Sequence, residues 1–316
     1  MQYGFNLPNS GPLCEPSMMA GLAREGEGLG YDYLTINDHV VLPDTAALGY
    51  PYSETGEFFG DHPEIRHEQL TLMAWIAAQT RRIRLVTAVM VVPHRPAVLA
   101  AKMLATLDVL SGGRLVVGVG AGWLEREFEV LATPPFAERG AVTDEFLRAF
   151  KALWTEDSPR FEGKYTRFTN IVLAPNPVQK PHPPVWVGGE SPPALRRAAR
   201  FGDAWYPIGT SRQYPMDSLP RLRVGIARLR QLAEQGGREP GSVGVFYRVK
   251  QIGAAVAERA SDGQRRLFSG KDDAIAADLH AMAEAGVTGV DFDIERPDPG
   301  ASRDELHRIK QRIIRN

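Results

Sequence analysis

Three short stretches hold residues whose chemistry depends on where they are placed. His39 follows Asp38, and an imidazole titrates near neutral pH with its tautomer and charge open to a nearby acid. Successive side chains on a strand point opposite ways, so Asp38 need not touch His39. The pair reads equally as a helix cap followed by a surface histidine. Gly188-Gly189-Glu190-Ser191 joins an apolar run to a helical one. Glycines let backbone approach a ligand, and free N–H groups at a helix start attract anions, so the stretch could cradle a phosphate. It reads equally as a tight turn with Ser191 as cap. Gly118-Val119-Gly120-Ala121-Gly122-Trp123 fails as a dinucleotide fingerprint, because Trp123 stands at the third glycine position. The glycines suit a floor for a flat ring with Trp123 as a wall, or close helix–strand packing.

Other constellations are weaker. His62 and His67 flank Asp61 and Glu64, but their spacing matches no known metal site, and no metal is expected. Neither H-E-x-x-H nor G-x-S-x-G occurs. Glu190 and Asp293 after apolar runs would suit a glycosidase, which leaves the glycine stretches without a purpose.

These residues need elements to position them, and the chain alternates short β-branched runs with segments of helical period. Strands are expected at Tyr3–Leu7, Tyr33–Ile36, Ile83–Val89, Leu115–Val119, Val185–Val187, Ala204–Tyr206, Val243–Val249 and Gly289–Ile294. Helices are expected at Ser17–Leu29, Glu68–Thr80, Pro96–Leu110, Leu124–Leu131, Ala141–Leu153, Pro193–Phe201, Leu219–Gln235, Ala274–Ala285 and Arg303–Ile313. Eight strands, each followed by a helix, predict an α/β fold, a (β/α)8 TIM barrel, with an open doubly wound sheet as competitor. Val40–Pro63 and Thr155–Pro184 interrupt the rhythm as insertions after strands 2 and 4. Both are expected at the C-terminal face, where barrel sites form. Residues 1–316 read as a single barrel domain.

The chain has 316 residues with 37 basic and 38 acidic side chains, so no global field recruits nucleic acid or an anionic membrane. Its one cysteine, Cys14, excludes an intrachain disulfide and fits a cytoplasmic setting. A signal peptide and a membrane span are not expected.

Four stretches resemble the luciferase-like flavin and deazaflavin oxidoreductases, a (β/α)8 family, and most of all the branch described as coenzyme F420-dependent. They are Gly4–Pro8; Asn37–Pro43; the run from Thr87 to Pro96 with Ala105–Asp108, Leu110–Arg114 and Gly118–Trp123; and Pro184–Gly189 with Gly202–Trp205.

The resemblance implies that His39 approaches the pyrimidine end of a cofactor ring and offsets the charge of the reduced ring. It implies a non-prolyl cis peptide at Ala88–Val89 against the back of that ring, and a phosphate held by Gly188, Gly189, Glu190 and Ser191. It adds Asn6, Asp38, Gly120, Ala121 and Gly122 as cofactor neighbours. Trp123, Trp205 and Tyr206 are expected to shape the substrate pocket, with His39 and Trp123 the catalytic candidates. Sugar-phosphate dehydrogenases of the family place a proton-donating glutamate where Trp123 stands, and an indole cannot act as that acid. The implied cofactor is coenzyme F420, with FMN as alternative. The implied reaction is hydride transfer with a small organic substrate, the alternatives being oxygen insertion from reduced FMN or flavin binding without turnover. A homodimer through the helices Glu68–Thr80 and Pro96–Leu110 is expected.

Overall fold

The computed structural model describes residues 1–42, 49–52, 56 and 65–315. Its strands are β1 (Gln2–Asn6), β2 (Tyr33–Ile36), β3 (Arg84–Thr87), β4 (Leu115–Gly120), β5 (Val185–Gly188), β6 (Ala204–Tyr206), β7 (Gly244–Val249) and β8 (Gly289–Asp293). Each pairs in parallel with the next, and β8 returns to β1, aligning Phe292 with Phe5 and Asp293 with Asn6. The sheet is therefore a closed eight-stranded barrel rather than an open one. The helices are α1 (Pro16–Gly28), α2 (Gln69–Gln79), α3 (Ala97–Ser111), α4 (Glu125–Val130), α5 (Arg139–Thr155), α6 (Pro192–Phe201), α7 (Leu219–Gln235), α8 (Asp272–Ala285) and α9 (Pro299–Arg308). Carboxylates cap α1 and α2, where Glu15 accepts from the Met18 N–H and Glu68 from the Thr71 N–H. Gly112 ends α3 in the left-handed region at φ 67°, which a side chain would resist.

The pleat of the strands sorts the core into two layers. Outward positions such as Phe5, Leu34, Leu85, Val117 and Val187 pack under the helices. Inward positions Tyr33, Val86, Val116, Trp186, Ala204, Tyr206 and Phe246 form a separate plug inside the barrel. Trp186 stacks on Phe246 with ring centroids 3.7 Å apart, and Tyr33 meets both edge-on. This plug fills the lower barrel and leaves the C-terminal mouth as the place for chemistry.

Two expectations need correction. The strand read as Ile83–Val89 is interrupted at Ala88–Val89, and pairing with β4 resumes at Met90–Val91. The insertion Thr155–Pro184 does not lie at the C-terminal face, because α5 has already carried the chain back down. Gln179 Nε2 donates to the Leu115 carbonyl at the start of β4, and its N–H donates to Asp108. The insertion thus closes the N-terminal end, where it carries a small antiparallel hairpin of Phe161–Glu162 and Arg167–Phe168. Much of the insertion after β2, with Pro43, Asp61, His62 and Glu64, lies outside the described residues. A further excursion, residues 250–271, follows β7 at the mouth. Among the described residues no helix is long and apolar enough to cross a membrane.

Candidate active site

The mouth is built on the break in β3. The Ala88–Val89 peptide is cis, as the resemblance implied. The inner glycines of β4 and β5 make room for it. A Cβ on Gly118 would lie 1.9 Å from the Thr87 carbonyl oxygen, and one on Gly120 would lie 2.6 Å from Val89 Cγ2. On Gly188 it would lie 2.9 Å from Val89 Cγ1. Gly122, at φ 87°, is close against Phe128 and Val91. The space beside Gly118, Gly120 and Gly188 is thus taken up by protein atoms. Gly120 and Gly188 seat Val89, Gly118 admits the Thr87 carbonyl, and the half-buried Val89 is a surface turned to the mouth.

His39 stands at the same mouth, in the loop after β2. Its Nδ1 is 3.0 Å from Glu127 Oε2, on α4. Glu127 Oε1 accepts from the N–H groups of Val40 and Val41, at 2.6 and 3.2 Å. His94 Nδ1 is 4.0 Å from that same oxygen. Burial pushes the Glu127 carboxyl up, but the His39 hydrogen bond, both imidazoles and the Val40 N–H together hold it below the usual glutamate range. Burial holds the His94 imidazole below its usual range, against the pull of Glu127 and Asp38. His94 packs edge-on against Phe128. Trp123 lies beside His39, with centroids 5.9 Å apart, and Tyr50 meets Trp123 at 5.2 Å. Tyr52 stacks edge-on behind Tyr50, giving an aromatic wall.

Asp38 faces away from His39. It takes both terminal nitrogens of Arg95, at 2.8 and 2.9 Å, and accepts from the Val91 N–H at 2.9 Å. Arg95 also reaches Glu68 at 2.6 Å. Asp38 is thus a brace for the segment after Val89, not a ligand for a ring. Asn6 is committed likewise, its amide donating to the carbonyl and hydroxyl of Thr35. Deeper in the barrel, Asp291 accepts from Tyr206 Oη, and Arg248 reaches Thr35. Burial pushes the Asp291 carboxyl up to about 6, against the pull of Arg248 and Tyr206. Nearer the mouth Lys250 pairs with Asp293 at 3.1 Å.

After β5, Gly189 adopts φ 99°, and the Ser191 hydroxyl accepts from the Ala194 N–H to cap α6. Pro192 and Pro193 contribute no N–H. The donors that this turn itself offers an anion are the backbone N–H groups of Gly189, Glu190 and Ser191 and the Ser191 hydroxyl, with Arg196 and Arg228 lining the cavity beside it. The buried Glu190 accepts from the Ile208 N–H at 2.7 Å. Burial pushes its carboxyl up to about 8, so it is neutral at pH 7 and does not oppose an anion at this turn.

The fold brings His39, Val89, Gly120, Ala121, Gly122 and Trp123 to one end of the barrel, with Gly188–Ser191 on an adjacent strand end. Trp205 and Tyr206 do not line a pocket. Trp205 faces outward, where its Nε1 donates to the Gly189 carbonyl and a Cβ on Gly225 of α7 would meet its ring at 2.8 Å. Tyr206 points inward but lies in the buried plug below the mouth. Ala88 is part of the same plug, directly beneath Val89. Sequence reasoning missed Glu127, and it placed His94 and Arg95 after the third strand without giving them a role. The signal for Glu127 was present: with Leu124, Phe128 and Leu131 it occupies an i, i+3, i+4, i+7 stripe, so a charged residue stood where a buried apolar one belongs.

Comparison with known proteins agrees with the barrel fold. The family model described as luciferase-like monooxygenase matches residues 7–312. An uncharacterized protein of Mycobacterium tuberculosis is 33% identical over 291 residues, covering 90% of this chain and 96% of that one. An FMNH2-dependent dimethylsulfone monooxygenase of Pseudomonas putida is 35% identical over 172 residues. That match takes in 54% of this chain and 47% of the enzyme, about half its length. Among solved structures, an F420-dependent secondary alcohol dehydrogenase superposes with a TM-score of 0.75 at 17% identity, covering 99% of this chain and 98% of that one.

Proposed function

The chain belongs to the luciferase-like monooxygenase family, whose members are flavin- or F420-dependent oxidoreductases, and from that premise we propose that it transfers a hydride between reduced coenzyme F420 and a small organic substrate. The observation that carries this reading is the His39–Glu127 pair at the mouth that also holds the seated Val89. The residues fit a planar ring with an anionic side chain: an apolar back plate, an imidazole at one edge, and a neutral turn with N–H donors on β5. When bound, the coenzyme supplies the two-electron chemistry.

The chain's own residues bind, orient and shield. Val89 would back one face of the ring and leave the other to the substrate. His39 places a donor where negative charge gathers on reduction, an electrostatic role worth more in a site shielded from water. Gly189, Glu190 and Ser191 hold the anionic side chain. Trp123 and Tyr50 keep water out and offer the substrate an aromatic side, while Lys250 and Asp293 give it a polar one.

A second reading, oxygen insertion by reduced FMN, is favoured by the match to the dimethylsulfone monooxygenase. Fluorescence titration separates the two. Saturable micromolar binding of F420 supports hydride transfer. Binding of FMN alone, with oxygen-dependent turnover, supports the second reading, and binding of neither overturns both. We also propose a homodimer through α2 and α3, which expose Trp75, Leu99 and Leu110.

A further inference from the structure

Glu127 is 1% exposed, and its two oxygens do different work. Oε1 pins the chain at Val40 and Val41, and Oε2 meets His39 Nδ1. An ionised carboxylate can only accept, so the proton of this contact belongs to Nδ1. We infer that Glu127 is a positioning residue for His39: it holds the proton on Nδ1 and so assigns Nε2 as the nitrogen that meets the ring. The inference rests on the proposed function for its ring, but its claim about the tautomer stands on the protein alone.

The consequence concerns charge. For Nε2 to donate to an anionic reduced ring while Nδ1–H is bound to Glu127, the imidazole must be the cation, with Glu127 as its buried counter-charge. An oxidised, uncharged ring needs no such cation. Glu127 therefore favours the reduced coenzyme over the oxidised one. Among the described residues, the other charged or titratable groups near the pair include His94, kept neutral by burial, the Asp38–Arg95 brace and Arg66. Neither His94 nor Arg95 takes the Oε2 position: His94 lies 4.0 Å from Oε1, and Arg95 is committed to Asp38 and Glu68.

The substitution Glu127→Gln separates tautomer from scaffold. The amide oxygen can still accept from Val40 and Val41, while the amide nitrogen turns a donor toward Nδ1. That forces Nδ1 to accept and moves the proton of the neutral ring to Nε2. In ligand-free protein labelled with ¹⁵N-histidine, His39 of the wild type should show Nδ1–H, and Glu127→Gln should show the Nε2–H tautomer. Titration with oxidised and reduced F420, or with FMN if only FMN binds, should then show the preference for the reduced form falling roughly tenfold, the difference between a charge-assisted and a neutral hydrogen bond. An Nε2–H tautomer in the wild type overturns the inference, and so does a swapped tautomer with unchanged preference. Should the variant fail to fold, the wild-type spectrum alone decides. A wild type that binds neither coenzyme refutes the proposed function, and the tautomer result still judges Glu127.

Discussion

The seat of Val89 gives the sharpest test of how the mouth is built. In Gly120→Ala the new Cβ would sit 2.6 Å from Val89 Cγ2, against the 3.5–4 Å or so of an ordinary carbon contact. Val89 must then move by about 1 Å toward the mouth. Overpacking of this kind costs about 1–3 kcal/mol, which for a chain of this size lowers Tm by roughly 2–5 °C. Val89→Ala removes the clashing methyl, so adding it to Gly120→Ala should recover most of the loss. The two changes should therefore couple by about 1–2 kcal/mol in a double-mutant cycle measured by urea unfolding. Gly118→Ala should be worse than either, because its Cβ would lie 1.9 Å from a backbone oxygen. Gly21→Ala in α1, with nothing within 4 Å of its Cβ, serves as the control and should be neutral or stabilising. Coenzyme affinity should fall in Gly120→Ala, since the back plate advances into the ring's space. Unchanged stability in Gly120→Ala, or simple additivity with Val89→Ala, would refute the account of the glycines.

Three further outcomes follow from the same geometry. Arg95→Met strands the buried Asp38 and should cost about 3–5 kcal/mol in urea unfolding, whereas an effect under 1 kcal/mol would show the brace to be idle. Glu190 is ionised above pH 4.5 when unfolded but stays neutral to about 8 when folded, so its contribution is full below pH 4.5 and is lost as pH rises through 8. Glu190→Gln should flatten the decline in Tm between pH 5 and 8, and an unchanged slope would contradict the assignment. Leu99→Glu with Leu110→Glu should yield monomers in sedimentation velocity, if the wild type sediments as a dimer through α2 and α3.

The barrel was legible because strand and helix periods alternate cleanly, and because runs such as Leu115–Gly120 are buried on both faces. The site was legible in part. His39 and Trp123 stood out by residue type, and the fold sets their rings together. Asp38 was rightly read as free to oppose His39 on an extended chain, but its partner Arg95, 57 residues away, could not be read from the sequence. Trp205 misled for a reason of parity: one residue along a strand separates the barrel interior from the helix layer. The glycines were noticed with two readings left open, and that Val89 and the Thr87 carbonyl lie against them needed the fold, because a close approach says that something is near and not what. The face of the insertion Thr155–Pro184 could be deduced only by counting that a helix had already returned the chain.

The central claim is that a planar coenzyme lies on Val89 with its edge at His39 and its anionic side chain at Gly189–Ser191. A co-crystal structure with F420 tests it directly. The account predicts the ring stacked on the Val89 side chain, His39 Nε2 within hydrogen-bond distance of the pyrimidine edge, and the phosphate on the β5 turn. A ring bound elsewhere, or at the mouth with His39 turned from it and Glu127, would contradict it.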